Sequence, residues 1–126
     1  MMARECVMCG QPVKGFGTRG MNKQLRRTLE MTNRIRAAAR RVEEQGPLAE
    51  GGDVGPLLES LNRMAAEGDS YAEFWHDALH DIDVPGPSEA RVIKREWVQW
   101  GKNARPMLRL IELPPETLAQ VLSQDR

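Results

Sequence analysis

The chain contains two cysteines and two histidines, and each pair is closely spaced. Cys6 and Cys9 form a C-x2-C pattern, and His76 and His80 form an H-x3-H pattern. Both spacings fall within the range of structural zinc sites, in which thiolate sulfur and imidazole nitrogen bind the ion. The sequence therefore predicts one structural zinc ion held by Cys6, Cys9, His76 and His80.

The residues around each pair support this prediction. Two residues between cysteines allow a tight turn to direct both thiolates at one ion, and Gly10 can adopt the backbone angles that such a turn needs. Histidines four residues apart lie on the same side of a helix. At about 100° per residue, they point away from the apolar side of their helix, which is formed by Phe74, Trp75, Ala78, Leu79 and Ile82. We therefore expect the histidines to face the cysteine turn rather than the core.

The turn at residues 6–10 resembles the knuckle of zinc-ribbon and treble-clef proteins, and the resemblance covers only these residues. Between Cys9 and His76 lie 66 residues, whereas a DNA-reading finger of the ββα kind has about 12. That kind of finger is therefore excluded. One alternative is a redox cysteine pair, which the absence of a preceding strand disfavours. The other is an exposed histidine pair beside an unrelated pair of thiols.

A catalytic metal is a further alternative. The segment from His76 to His80 resembles the H-E-x-x-H motif of zinc metalloproteases, with Asp77 in the place of the general base. Aspartate is one methylene shorter than the glutamate that must reach the metal-bound water. Two cysteines are also present to fill the position that a catalytic zinc keeps open. We therefore expect no enzyme, and a zinc metallohydrolase is kept as a distant alternative.

Length and composition indicate one domain, residues 1–126, because the chain has 126 residues of which 40% are hydrophobic. No segment approaches the roughly 20 apolar residues that cross a bilayer, and the first residues lack the apolar core of a signal peptide. These features predict a cytoplasmic protein with no membrane partner. No small-molecule substrate is predicted. In a reducing compartment, a close cysteine pair binds a metal more often than it forms a disulfide.

Apolar residues recur every three or four positions, which predicts a mainly α fold, a small bundle of about four to five helices. The expected helices cover residues 21–44, 56–67, 70–82 and 88–103, with a last helix after Pro114. In this arrangement the N-terminal zinc knuckle is clipped onto the third helix.

The boundaries between these helices come from glycine, proline and capping signals. Gly68 and Pro106 are expected to end helices, and the segment from Ser70 to Glu73 has the form of a capping box. The run 107–113 fits either a short helix or a strand. Residues 1–20 are expected to form the knuckle and a glycine-rich basic loop, and residues 46–55 an internal flexible linker.

Charge is strongly segregated although the net charge is zero. Residues 1–42 carry ten Lys/Arg against two Asp/Glu, residues 43–90 carry one against twelve, and residues 91–126 carry seven against four. Such segregation indicates either an anion-binding surface at the N-terminal end or two halves that attract each other on folding.

The basic N-terminal segment is the candidate nucleic-acid contact, because glycines let a backbone approach phosphates and arginines donate to them. The candidate residues are Lys14, Arg19, Lys23, Arg26, Arg27 and Arg34. Phe16 is placed to stack on a base. The leading interpretation is a small regulatory protein that binds DNA or RNA, or the transcription machinery, in the manner of a phage or bacterial accessory protein.

The alternative is a protein-interaction adaptor or inhibitor that acts on a host protein. Phe16 would then anchor the partner, as would Trp97 and Trp100. Trp97 and Trp100 are three residues apart. Their spacing favours a core stripe over a partner anchor, because it is that of a packed amphipathic helix. Salt-sensitive binding to nucleic acid separates the two interpretations.

Overall fold

The computed structural model describes residues 4–13, 15, 17–45 and 54–124. Strands β1 (Arg4–Glu5) and β2 (Pro12–Val13) pair antiparallel, with Arg4 opposite Val13. Within the described ranges, the helices are α1 (Thr18–Gln45), α2 (Gly55–His80), α3 (Pro87–Ile111) and α4 (Pro115–Gln124). The prediction of a mainly helical fold with an N-terminal knuckle is confirmed.

Helices α1 and α2 pack against each other because both carry an apolar residue every three or four positions. They run antiparallel, as their buried clusters show. Leu25 in the first half of α1 belongs to one buried cluster with Trp75 near the end of α2. Ile35 and Val42 in the second half of α1 belong to another cluster with Leu61 near the start of α2. The start of α1 is thereby held beside the end of α2, which is where the knuckle lies.

Helices α3 and α4 complete the core from the other side. Trp100 and Leu108 of α3 and Leu118 of α4 are buried in the cluster that contains Ile35. Trp97 is half-buried and packs against both clusters, so that α3 connects them. None of the described helices combines the length and the apolar character that crossing a bilayer requires.

Gly68 does not end a helix as predicted. It lies inside α2, which continues without a break from Gly55 to His80. A β-carbon at this position would clash with Thr32 Oγ1 and lie 2.8 Å from Trp100 Cζ2. The glycine therefore serves close packing of α1, α2 and α3, which outweighs its cost of about 1 kcal/mol in a helix.

The prediction of a capping box at Ser70 is also wrong. Ser70 lies inside α2, and its hydroxyl donates to the carbonyl of Ala66 instead. The helix predicted as third is the second half of α2.

Two other boundaries differ from the prediction. Helix α3 continues through Pro106 to Ile111, because the buried face that contains Leu108 and Ile111 outweighs the backbone hydrogen bond that proline removes. Helix α1 begins at Thr18 rather than Met21. Of the predicted linker, residues 46–53 lie outside the described residues, and Gly55 belongs to α2.

Candidate metal centre and basic groove

The cysteine turn connects β1 to β2 and is closed by backbone hydrogen bonds. The N–H of Cys6 donates to the carbonyl of Gln11 at 2.9 Å, and the N–H of Gly10 donates to the carbonyl of Cys6 at 2.9 Å. Gly10 has a φ of +76°, in the left-handed region that glycine adopts without a steric cost. The N–H of Met8 also donates to Cys6 Sγ at 3.4 Å. These bonds fix the conformation of the turn and the position of the Cys6 sulfur.

Asn22 of α1 holds this turn in place. Its Oδ1 accepts from the N–H of Val7 at 3.0 Å, and its Nδ2 donates to the carbonyl of Glu5 at 2.8 Å. The amide therefore bonds the backbone on both sides of Cys6. The sequence does not indicate this role of Asn22, because an asparagine near the start of a helix carries no signal for a partner 15 residues away.

The two histidines lie in the last turns of α2, where both are half-buried. Their rings are neighbours, with centroids 4.6 Å apart. The helix ends at Asp81, a left-handed residue with a φ of 55°, and the N–H of Ile82 donates to the carbonyl of Asp77 at 2.8 Å. This cap fixes the last turn and therefore the direction of His80.

The hairpin and the end of α2 bring the four predicted ligands together. Cys9 Sγ lies 3.3 Å from His80 Nε2, and the ligand atoms of Cys6, Cys9, His76 and His80 all lie within 4.8 Å of one another. Zinc–sulfur bonds of about 2.3 Å and zinc–nitrogen bonds of about 2.0–2.1 Å separate the ligand atoms of a tetrahedral site by roughly 3.3–3.8 Å. Both cysteines are free thiols. The group could therefore hold one metal ion after a small contraction.

Asp77 contacts a histidine instead of pointing at an open metal position. Its Oδ1 lies 3.2 Å from His76 Nδ1. A carboxylate at Nδ1 favours the tautomer that carries the proton there and leaves Nε2 free to bind a metal. The position of Asp77 is that of a carboxylate that orients a metal-binding histidine. It does not resemble the general base of a metalloprotease, which must reach the metal-bound water.

Three of the six predicted nucleic-acid contacts, Arg19, Lys23 and Arg26, line one open groove with Arg4 of β1. Glu5 and Asn22 also line this basic groove. All four cations are exposed, and none forms an ion pair within the part of the chain that the structure describes. Arg27, also exposed, lies on the neighbouring face of α1. Lys14 and Phe16 lie outside the described residues.

Three arginines in the second half of α1 are engaged within the protein, whereas Arg40 is exposed. Arg34 forms a two-bond ion pair with Glu112, with contacts of 2.6 and 3.1 Å, and this bond lowers the pKa of Glu112. Arg36 pairs with Asp69, and Arg41 donates to the carbonyl of Ile111 at 2.7 Å. Arg34 is thus separated from the basic groove, and its nucleic-acid contact stays a prediction.

The predicted partner anchors Trp97 and Trp100 both pack inside the protein. Trp97 is half-buried, and its Nε1 donates to Thr28 Oγ1 at 2.8 Å. Trp100 is 5% exposed, and its Nε1 donates to the carbonyl of Met64 at 2.9 Å. Both contribute to the core stripe that their spacing favours.

Comparisons with protein-family models, with curated proteins and with solved structures found no match to this chain.

Proposed function

We propose that this chain is a non-enzymatic nucleic-acid-binding protein in which a structural zinc ion holds the N-terminal hairpin against α1 and α2. The observation that carries the proposal is the basic groove, whose cations come from two segments. Arg4 belongs to the hairpin, whereas Arg19, Lys23 and Arg26 belong to α1. The metal ligands and Asn22 position the first segment beside the second.

Zinc is the ion that the donor set favours. Two thiolates and two imidazoles are the ligands of closed, tetrahedral structural zinc sites, whereas magnesium and calcium prefer oxygen ligands. Four protein ligands leave no position for substrate. Cys6 is buried and Cys9 is exposed, so that the ion would lie at the surface end of the cluster formed by Val13, Leu25, Ala72, Trp75 and Leu79.

The cations of the basic groove are exposed and form no ion pair within the described residues. Lysine and arginine side chains that neutralise phosphates release condensed counterions, and this release favours binding at low salt. Arg34, Arg36 and Arg41, farther along α1, are bonded to Glu112, Asp69 and Ile111. The cations of the basic groove form no such bonds within the described residues, so they are available for a partner. A role in transcription regulation stays a prediction from the sequence.

The test is the salt dependence of binding to labelled DNA and RNA. The logarithm of affinity should fall linearly with the logarithm of salt concentration. Arg19→Ala combined with Arg26→Ala should flatten the slope by about 1.4–1.8, since each phosphate contact contributes about 0.7 on single strands and 0.9 on duplex DNA. The matched control is Arg63→Ala with Arg109→Ala, which removes the same charge from exposed positions of α2 and α3. It should leave the slope nearly unchanged.

Two outcomes would contradict this proposal. If the wild-type protein shows no binding at low salt, the adaptor interpretation takes first place. If the control variant flattens the slope as much as the groove variant, binding follows net charge and the groove has no special role. Removal of the metal by a chelator should weaken binding, because Arg4 then loses its position beside α1.

A further inference from the structure

A second cavity, of about 260 Å³, lies between α1 and α3 on the face next to the basic groove. Its apolar wall is formed by Met31, Trp97 and Trp100, and its rim by Arg27, Lys102 and Arg105. Pockets for drug-sized ligands measure roughly 300–1,000 Å³. This pocket, which we name the tryptophan pocket, therefore fits one planar group rather than an extended ligand.

The polar atoms of the tryptophan pocket are nearly all engaged. Both indole N–H groups donate to protein acceptors, so the two rings offer only apolar surface. The Thr28 hydroxyl donates to the carbonyl of Gln24 at 2.7 Å and accepts from Trp97. The exception is Gln24 Oε1, which is buried and has no hydrogen-bond partner among the described residues. This oxygen is inaccessible to solvent and offers no contact to a ligand, so the apolar wall and the rim would recognise the ligand.

The rim carries positive charge without a compensating carboxylate. Arg27, Lys102 and Arg105 are exposed, no acidic residue lines the pocket, and none of the three cations forms an ion pair within the described ranges. The opposite side of Trp100 differs, because there Glu67 and Glu96 line the neighbouring surface. The cations therefore select an anionic ligand on the tryptophan-pocket side only.

We propose that the tryptophan pocket receives one unstacked base of a single-stranded nucleic acid, with the adjoining phosphates on Arg27, Lys102 and Arg105. This inference rests on the proposed function and specifies its ligand. A base is planar and stacks on aromatic side chains. Arg26 of the basic groove and Arg27 of the pocket rim are consecutive on α1, so the two sites lie on neighbouring faces of this helix. In a duplex, the bases are paired and stacked and do not reach the pocket.

Gly101 provides a variant that blocks the pocket without weakening the fold. It lines the cavity, and a β-carbon there would meet only Arg105 Nη2, at an ordinary 3.7 Å. Leucine is also a better helix former than glycine by nearly 1 kcal/mol on the general scale. Gly101→Leu should therefore fill the pocket while α3 stays intact. The matched control is Asn103→Leu, at an exposed position two residues along α3. Thermal melts of both variants test whether they fold.

The experiment measures binding of the full chain, with its metal, to oligonucleotides of about 12 nucleotides, within the size range of single-strand sites. The probes are single-stranded RNA, single-stranded DNA, the corresponding duplex, and a single strand whose central nucleotides lack bases. Intact single strands of either sugar type should bind about tenfold tighter than the abasic strand and quench tryptophan fluorescence. Gly101→Leu should lose that tenfold advantage and the quenching, and Asn103→Leu should keep both.

A second variant, Lys102→Gln with Arg105→Gln, changes only exposed side chains. It should reduce the salt slope by about 1.4 on single strands. If abasic or duplex probes bind as tightly as intact single strands, or if Gly101→Leu binds like the wild type, the base-binding pocket is refuted while the nucleic-acid function stands. If no probe binds at low salt, both proposals fail together.

Discussion

Cys9 Sγ and His80 Nε2 lie 3.3 Å apart although the two residues are 71 positions apart in the sequence. Helix α1 and nearly all of α2 lie between these two residues. An ion that bonds both atoms closes this long loop, and closing a loop removes conformational freedom mainly from the unfolded chain. Because the complete ligand set exists only in the folded state, the free energy of metal binding adds to the free energy of folding.

The first prediction concerns stability. Cys9→Ser should lower the free energy of unfolding by on the order of 3 kcal/mol or more, because one ligand of the metal is lost. Chemical unfolding in the presence of zinc measures the change. Met8→Ser is the control, since Met8 is an exposed neighbour in the same turn, and it should change stability by no more than about 0.5 kcal/mol. Equal stabilities of Cys9→Ser and the wild type, with and without a chelator, would contradict a structural metal.

The second prediction concerns the clamp on the cysteine turn. Asn22→Ala should weaken zinc binding by about tenfold, because residues that orient a metal ligand typically contribute 10–100-fold to affinity. Competition with a chromophoric chelator measures the affinity. Asn33→Ala removes an exposed amide from the same helix and should have no effect. Zinc affinity that is unchanged in Asn22→Ala would mean that the turn holds its shape without α1.

The third prediction concerns the close approach at Gly68. Gly68→Ala should destabilise the protein by about 1–3 kcal/mol, since the added methyl overpacks the contact with Thr32 and Trp100. Gly20→Ala is the matched control, because Gly20 is also helical and has open space around it. That change should be neutral or stabilise by up to about 1 kcal/mol. Thermal and chemical melts distinguish the two, and a stabilising Gly68→Ala would show that α2 can move away from α1.

Gly68 also illustrates what the sequence could and could not predict. Local spacing identified four side chains that the structure brings together, because a turn and one helical repeat determine where each pair points. The continuity of α2 depends on Thr32 and Trp100, which lie far from Gly68 in the sequence, so local propensity gave the wrong boundary. Asn22 and the bonds of Arg34 were likewise hidden, because each depends on a contact that exists only after the helices pack.

The fourth prediction concerns the ion pair between Arg34 and Glu112. The Arg34 guanidinium lowers the pKa of Glu112, so the pair stabilises the fold fully above the usual carboxyl pKa of about 4.3. The contribution of the ion pair to stability disappears as the pH falls through the lowered pKa that Glu112 has in the folded protein. Glu112→Gln should therefore cost up to about 1 kcal/mol at neutral pH, as expected for an exposed pair. The difference from the wild type should shrink under acid conditions.

Glu116→Gln is the control for this pair, because Glu116 is exposed and forms no ion pair within the described residues. A cost of Glu112→Gln that stays constant from neutral to acid pH would contradict the role of the ion pair.

X-ray absorption at the zinc edge of the freshly purified, unchelated protein tests the central claim most directly. The account predicts one zinc per chain, bound by two sulfur atoms at about 2.3 Å and two nitrogen atoms at about 2.0–2.1 Å. Cys6, Cys9, His76 and His80 would supply these atoms. A protein without zinc, or a zinc bound only by oxygen and nitrogen, would contradict it.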